Sequence, residues 1–216
     1  RIMKRSPSRI YNAIDASWFG VQTPDRKDRH DDLFVIGSVG RLIDRKGYAF
    51  LLKAFAILSK INPNIKLVLV GNGEDRAELE AQSSALGIQK QVSFLGQRSD
   101  VQNILKGFDL FVLPSLIEGL PTVLLESMAC GIPVIATNIP GTRELVEDDV
   151  NGWLVAPGDA DALARKIQQA IQSPDELERL KKTAVKTVQS YSFQEAAKQY
   201  ENLYKRLLNK PVIEKT

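Results

Sequence analysis

Two glutamates, Glu118 and Glu126, stand with seven residues between them in SLIEGLPTVLLESMACGIPV, which runs from Ser115 to Val134. Carboxylates accept hydrogen bonds from paired hydroxyls, so a ribose or hexose diol is a natural partner for such a pair. A second cluster lies upstream in VGRLIDRKG, residues 39–47, where Arg41 and Lys46 flank a loop that leads into a helix start. Free amides and the dipole at a helix N-terminus already favour an anion, and a guanidinium and an ammonium beside them make a diphosphate site. Gly40 opens that loop and permits either an unusual backbone angle or close approach of a ligand. The bland alternative is that Arg41, Arg45 and Lys46 are solvated surface cations.

The rest of the chain has to position these groups. Phe34–Val39, KLVLVG, QVSFLG, DLFVLP, PVIAT and GWLVA are short apolar runs. Between them fall helical patterns near Tyr48–Ile61, Asp75–Leu86, Asp100–Lys106, Thr122–Cys130 and Thr142–Val146, with another from about Asp161. Short apolar strands alternating with helices predict an α/β fold, a parallel sheet covered on both faces. Right-handed crossovers make it a doubly wound, Rossmann-like domain followed by C-terminal helices.

Ligands of such sheets bind outside the carboxyl ends of the strands. That places the site at VGRLIDRKG, at GNGED with Asn72 and Gly73, at FLGQRSD with Gln97 and Arg98, and at LPSLIEGLPT. In the last of these, Pro121 and Thr122 suit the first positions of a helix and Gly131 fits just past its end. Val123, Leu124, Leu125, Met128, Ala129 and Cys130 make that helix apolar almost all round, so it is expected to be buried, and a buried Glu126 needs a partner. The turn Gly71-Asn72-Gly73 lacks the third glycine of a dinucleotide fingerprint, position 76 being Arg76. A Walker loop also fails, because Gly47 and not Ser or Thr follows Lys46.

In the tail, Ser173-Pro174-Asp175-Glu176 reads as a helix start with Ser173 as cap, and Ser192-x-x-Glu195 as a capping box. Asp159-x-Asp161 could ligate a metal, but it precedes a helix and is read as a cap. His30 is the only histidine and falls in a polar loop; Cys130 is read as a small buried hydrophobe. RIYNAID, residues 9–15, could form one short strand, and residues 1–30 are taken as a linker ahead of a domain spanning 31–216.

The totals fit this reading. The 216 residues are 44% hydrophobic and 25% charged, enough for a sizeable core. A net charge of +3 favours phosphates in general without singling out nucleic acid, which is not expected as a partner. No run approaches the roughly 18 apolar residues of a membrane span. The single cysteine excludes an internal disulfide and suits a reducing, cytoplasmic setting. The chain starts at Arg1 without an initiator Met or a signal-peptide pattern, as expected of a piece of something longer.

VGRLIDRKG, FLGQRSD, LPSLIEGLPTVLLESMACGIPVIAT and GWLVAPGDADALA together resemble the donor-binding half of retaining, nucleotide-sugar-dependent glycosyltransferases. These form the two-domain GT-B group known as glycosyltransferase group 1, or family 4. The resemblance covers about residues 10 to 205. It implies that Arg41 and Lys46 bind the donor diphosphate and that Glu118 contacts hydroxyls of the transferred sugar, these three being the catalytic candidates. Glu126 would hold the ribose diol, and Gly119, Leu120, Pro121 and Thr122 would present backbone to sugar and phosphate. Gln97 and Arg98 would meet the base, and Gly40, Asn72 and Gly73 complete the donor-binding set.

The same resemblance implies a UDP-sugar as the favoured donor, no metal or other cofactor, and a glycan or lipid-linked acceptor. It also implies a cytoplasmic enzyme, with peripheral contact at the inner membrane face open to the full-length protein. The N-terminal acceptor domain of the family is absent, so this piece alone is expected to bind nucleotide weakly and to transfer no sugar. The last helix, Phe193 to Leu208, would cross back to that domain and leave a face of Tyr191, Phe193, Tyr200 and Tyr204 exposed. A nucleotide-sugar epimerase of the same fold and a non-catalytic nucleotide-sugar-binding module are the competing functions. An epimerase would need further acids and histidines in the cleft.

Overall fold

Runs of apolar residues too short for a helix and rich in Val, Ile, Leu and Phe form the strands. In the computed structural model, which describes residues 9–15, 19 and 33–208, they are β1 (Phe34–Val39), β2 (Ile65–Val70), β3 (Val92–Phe94), β4 (Leu110–Leu113), β5 (Val134–Thr137) and β6 (Trp153–Val155). The helices are α1 (Tyr48–Ser59), α2 (Arg76–Ala85), α3 (Val101–Leu105), α4 (Thr122–Ala129), α5 (Pro140–Arg143), α6 (Ala160–Gln172), α7 (Pro174–Val188) and α8 (Phe193–Leu208). One-turn 3₁₀ segments occupy Asp44–Lys46 and Gln189–Tyr191.

All strand pairs are parallel, in the order β3-β2-β1-β4-β5-β6. This is the Rossmann-like α/β sheet expected from the alternation of strands and helices. Its two faces separate by the period-2 rule. Ile65, Leu67 and Leu69 of β2, Leu110 and Val112 of β4 and Ile135 of β5 pack with α1, α6 and Trp153 on one side. Val68 and Val70, Phe111 and Leu113, and Val134 and Ala136 pack with α4 on the other. The chain builds β1 to β3 outward, then returns to lay β4 on the free side of β1. Strand order therefore reverses between β1 and β4, and the rule for open parallel sheets puts a ligand site beyond the carboxyl ends of these two strands.

Several local expectations are corrected. RIYNAID forms no strand; Ile14 makes a single bridge to Ser192. Ile14 and Phe19 are buried in the core on the α4 side of the sheet. The turn of helix expected at Thr142–Val146 is α5, two residues earlier, because Pro140 sets its first position and Thr142 bonds back to the Ile139 amide. Ser173 stands at the N-cap of α7, but its hydroxyl makes no capping bond. At Ser192 only half of the capping box forms: its hydroxyl accepts from the Glu195 amide at 3.3 Å, while the Glu195 carboxylate lies 3.7 Å from Lys198. Asp159 does cap α6, accepting from the Ala162 amide at 2.8 Å. His30 lies outside the described residues.

The tail divides sharply. α7 buries Leu177, Leu180, Ala184 and Val188. α8 buries none of its residues and exposes Phe193, Tyr200, Tyr204, Leu207 and Leu208. Tyr191 does not share that exposed face. Its ring packs on Tyr11 at 5.7 Å and its hydroxyl donates to the Glu144 carbonyl. Among the described residues no helix is long and apolar enough to cross a membrane.

Candidate nucleotide-sugar site

The loop after β1 begins where the Gly40 amide donates to the Val70 carbonyl of β2 at 2.9 Å. Leu42 and Ile43 are buried and anchor it from below. Asp44–Lys46 then forms its 3₁₀ turn, and Gly47 ends the turn in the left-handed region, φ 67°. A side chain there would strike the Pro114 carbonyl, at 2.1 Å from a Cβ. Glycine is required twice over, for the angle and for the contact. The Leu116 amide donates to the Arg45 carbonyl at 2.8 Å, lacing the loop after β1 to the loop after β4.

This lacing brings together groups far apart in sequence. Lys46 Nζ donates to Glu118 Oε1 at 2.6 Å, with the side chains only 18% and 10% exposed. Ser115, fully buried, donates its hydroxyl to the same Oε1 at 2.7 Å. Gly40 faces this cluster by close approach and not by an unusual angle, since its φ is not positive. A Cβ on it would lie 2.9 Å from the Tyr48 hydroxyl and 3.9 Å from Lys46 Cε. The Tyr48 and Ser38 hydroxyls are buried beneath the loop, neither with a hydrogen bond of good geometry. Burial drives the Tyr48 hydroxyl far above the ordinary tyrosine range, and the Glu118 charge adds to the effect, so it stays protonated.

Arg41 is exposed and has no ion-pair partner among the described residues. Arg45 of the same loop is likewise exposed, with no ion-pair partner among the described residues. Beyond Glu118, the amides of Gly119 and Leu120 make no hydrogen bond among the described residues. Pro121 is the N-cap of α4 and Thr122 its first residue. Glu126 follows one turn later, half-buried. Burial raises its pKa above the ordinary 4.5, partly countered by the Thr122 hydroxyl nearby.

The other candidates lie along the rim. The Asn72 carbonyl accepts from the Leu42 amide at 3.0 Å, and Gly73 packs so closely that a Cβ would meet the Leu42 carbonyl at 2.1 Å. The turn after β2 therefore braces the Arg41 loop. Gln97 and Arg98 follow β3, an edge strand, whose end is tied to that of β2 by the Gly71 amide donating to the Gly96 carbonyl; neither residue contacts the Lys46–Glu118 pair among the described residues. Arg98 is exposed and grips Asp100 with two bonds of 2.8 Å, which hold the Asp100 carboxyl below its ordinary value.

Sequence reading missed Ser115, Gly47, Thr137, Thr142 and Gly141. A Cβ on Gly141 would lie 2.3 Å and 2.5 Å from the Gly119 and Glu118 carbonyls, so α5 presses directly on the site loop. Of these residues only Gly47 carried a signal, as a glycine between a polar turn and a helix. Cys130 is buried at the end of α4, where desolvation pushes its thiol up to about 11.

Comparison with known proteins fits this geometry. The family "Glycosyl transferases group 1" matches residues 22–187, and the chain belongs to it. The UDP-Gal:alpha-D-GlcNAc-diphosphoundecaprenol alpha-1,3-galactosyltransferase of Escherichia coli is 35% identical over 162 residues, covering 71% of this chain and 42% of that protein. Alr3699/HepE of Anabaena, solved in complex with UDP and glucose, superposes with a TM-score of 0.80 at 27% identity, covering 93% of this chain and 56% of that one. The isolated C-terminal domain of the group 1 protein LpcC from Francisella tularensis superposes with a TM-score of 0.74 at 26% identity, covering 84% of this chain and 100% of that one. The chain spans less than half the length of the curated relatives it matches. The Rossmann-like half of a GT-B glycosyltransferase is thus the architecture observed.

Proposed function

We propose that this chain is the nucleotide-sugar-binding half of a retaining glycosyltransferase that moves a hexosyl group from a UDP-sugar to a glycan or lipid-linked acceptor. The observation that carries the reading is the 2.6 Å contact of Lys46 with Glu118, which joins the loop after β1 to the loop after β4 at the carboxyl edge of the sheet. UDP and glucose in the Anabaena neighbour and a diphosphoundecaprenol acceptor in the name of the Escherichia coli relative support the choice of donor and acceptor class.

Breaking a glycosyl–phosphate bond builds positive charge on the sugar and negative charge on the departing diphosphate. Arg41 and Lys46 supply fixed positive charge where the negative charge grows, which lowers the barrier more than it tightens ground-state binding. Lys46 has three donors, so it can keep Glu118 while turning another N–H to a phosphate oxygen. The unbonded amides of Gly119 and Leu120 and the start of α4 add donors that need no metal. Glu118 meets sugar hydroxyls, and Glu126 accepts from the ribose diol, whose donors replace the water its ionised form lacks. Retention follows if the leaving phosphate itself assists the acceptor on the same face.

The acceptor is met by a second domain outside this chain, and the exposed aromatic face of α8 is the surface offered to it. On this reading the chain alone binds nucleotide without transferring sugar, in a cytoplasmic enzyme that visits the membrane only at its surface. Calorimetry of UDP, GDP and ADP against wild type and Arg41→Ala tests the diphosphate assignment; binding that ignores the substitution defeats it. A panel of nucleotide sugars offered to the full-length protein then names the donor.

A further inference from the structure

Glu118 is held asymmetrically. Its Oε1 takes both protein donors, Lys46 Nζ at 2.6 Å and Ser115 Oγ at 2.7 Å. Its Oε2 makes no hydrogen bond among the described residues. Ser115 is itself immobilised from behind. Its carbonyl accepts from the Thr137 hydroxyl, and the Thr137 carbonyl accepts from the Thr142 hydroxyl. Thr142 also accepts from the Ile139 amide, at 3.2 Å. All three hydroxyl residues are buried, Ser115 and Thr142 completely. A chain of buried hydroxyls thus runs from α5 through the end of β5 to the loop after β4 and ends on the carboxylate.

We propose that Ser115, braced by Thr137 and Thr142, is a positioning residue that saturates Oε1 of Glu118 together with Lys46 and so presents Oε2 to the sugar hydroxyls of the donor. This rests on the nucleotide-sugar reading of the site and adds to it a residue that touches no ligand. Lys46 alone cannot do this work, because an ammonium on a long flexible stem attracts either carboxylate oxygen equally. The short, fully buried Ser115 side chain reaches one oxygen only. The geometry also frees Lys46 to share its charge with a diphosphate without releasing Glu118.

The test compares UDP with UDP-glucose on the whole 216-residue chain by calorimetry. Wild type is expected to bind UDP-glucose more tightly than UDP through Glu118, and Glu118→Gln to narrow that gap. Ser115→Ala is expected to narrow the gap by roughly ten- to a hundredfold, the worth of one hydrogen bond to a charged group, with UDP alone affected less. Ser115→Thr, which keeps the hydroxyl, is expected to restore it. Equal losses for both ligands, an unchanged gap, or a folded Thr variant without the gap would overturn the proposal. A crystal structure of ligand-free Ser115→Ala decides independently of any ligand. Glu118 in a changed or divided rotamer supports the proposal, and Glu118 unmoved defeats it. Wild type that fails to tell UDP-glucose from UDP counts against the nucleotide-sugar reading instead, and the ligand-free structure still judges Ser115.

Discussion

Glu118 sits in the loop after β4 and Glu126 in the helix that follows, yet the two carboxylates meet opposite surroundings. Glu118 is nearly buried and held by one oxygen, which takes both an ammonium and a hydroxyl. Glu126 is half-buried and desolvated, with only the Thr122 hydroxyl to offset it. The first is a preassembled part whose position the protein has already fixed. The second is a group whose charged form the fold disfavours, because burial costs it more than the Thr122 hydroxyl returns. On the proposed reading, a site built from both takes accuracy from one and ligand-dependent stabilisation from the other.

Removing the partner of the first carboxylate has the largest consequence. Lys46→Met leaves Glu118 in a nearly dry place with Ser115 as its one donor, and is expected to cost roughly 3 kcal/mol of unfolding free energy in urea titrations. Lys46→Met combined with Glu118→Leu is expected to recover most of that loss. A cost below about 1 kcal/mol for the single variant would mean the pair behaves as a solvated surface contact and would erase the contrast.

Arg41→Ala comes next and separates binding from stability. The guanidinium is exposed and unpaired among the described residues, so its loss leaves the unfolding midpoint where it was. UDP affinity is expected to fall between about ten- and a hundredfold, the range for charge-assisted hydrogen bonds to phosphate. A fall in the midpoint would show that Arg41 is part of the fold rather than of the ligand site.

Glu126→Gln sharpens the other side of the comparison. The folded chain holds the Glu126 proton more tightly than the unfolded chain does. Its contribution is therefore complete below the unfolded pKa and is lost as pH rises through the higher folded value. At neutral pH the Gln variant is expected to be slightly more stable than wild type, by less than about 1 kcal/mol because the group is partly solvated. That advantage disappears below the ordinary glutamate range, and UDP affinity falls in the same variant. Thermal melts at pH 3.5 and 7 alongside calorimetry read all three. A variant that loses stability at pH 7 would show that the charged form is already satisfied. Arg98→Ala is the smallest change: its exposed pair with Asp100 predicts an unchanged thermal midpoint, and contact with the base through backbone predicts an almost unchanged UDP affinity.

The sheet was largely legible in the sequence, because burial on both faces demands continuous apolar runs and each strand announces itself locally. The apolar surround of Glu126 likewise foretold its desolvation, since α4 carries its own evidence on neighbouring turns. α5 was misplaced by two residues because its start depends on Thr142 reaching back to Ile139, a bond that competes with propensity and leaves no pattern. The strand expected at RIYNAID failed for a related reason: only Ile14 found an edge to pair with, and the rest has no ladder. Tyr191 looked like one of a row of exposed aromatics until the fold set Tyr11 and the Glu144 carbonyl beside it.

Local composition decided where strands and helices run, and which loops end at the carboxyl edge of a parallel sheet, because those depend on residues within a few positions of one another. It also supplied the candidate site groups, Arg41, Lys46, Glu118 and Glu126. Pairing was decided elsewhere. Lys46 and Glu118 are 72 positions apart, and Ser115 lies 22 positions from the Thr137 hydroxyl that braces it. The first contact exists because β4 is laid beside β1, and the second because β5 is laid beside β4, so that loops distant in sequence fold against each other. A hydrogen bond needs its atoms within a few tenths of an ångström, and no spacing along a chain carries that information.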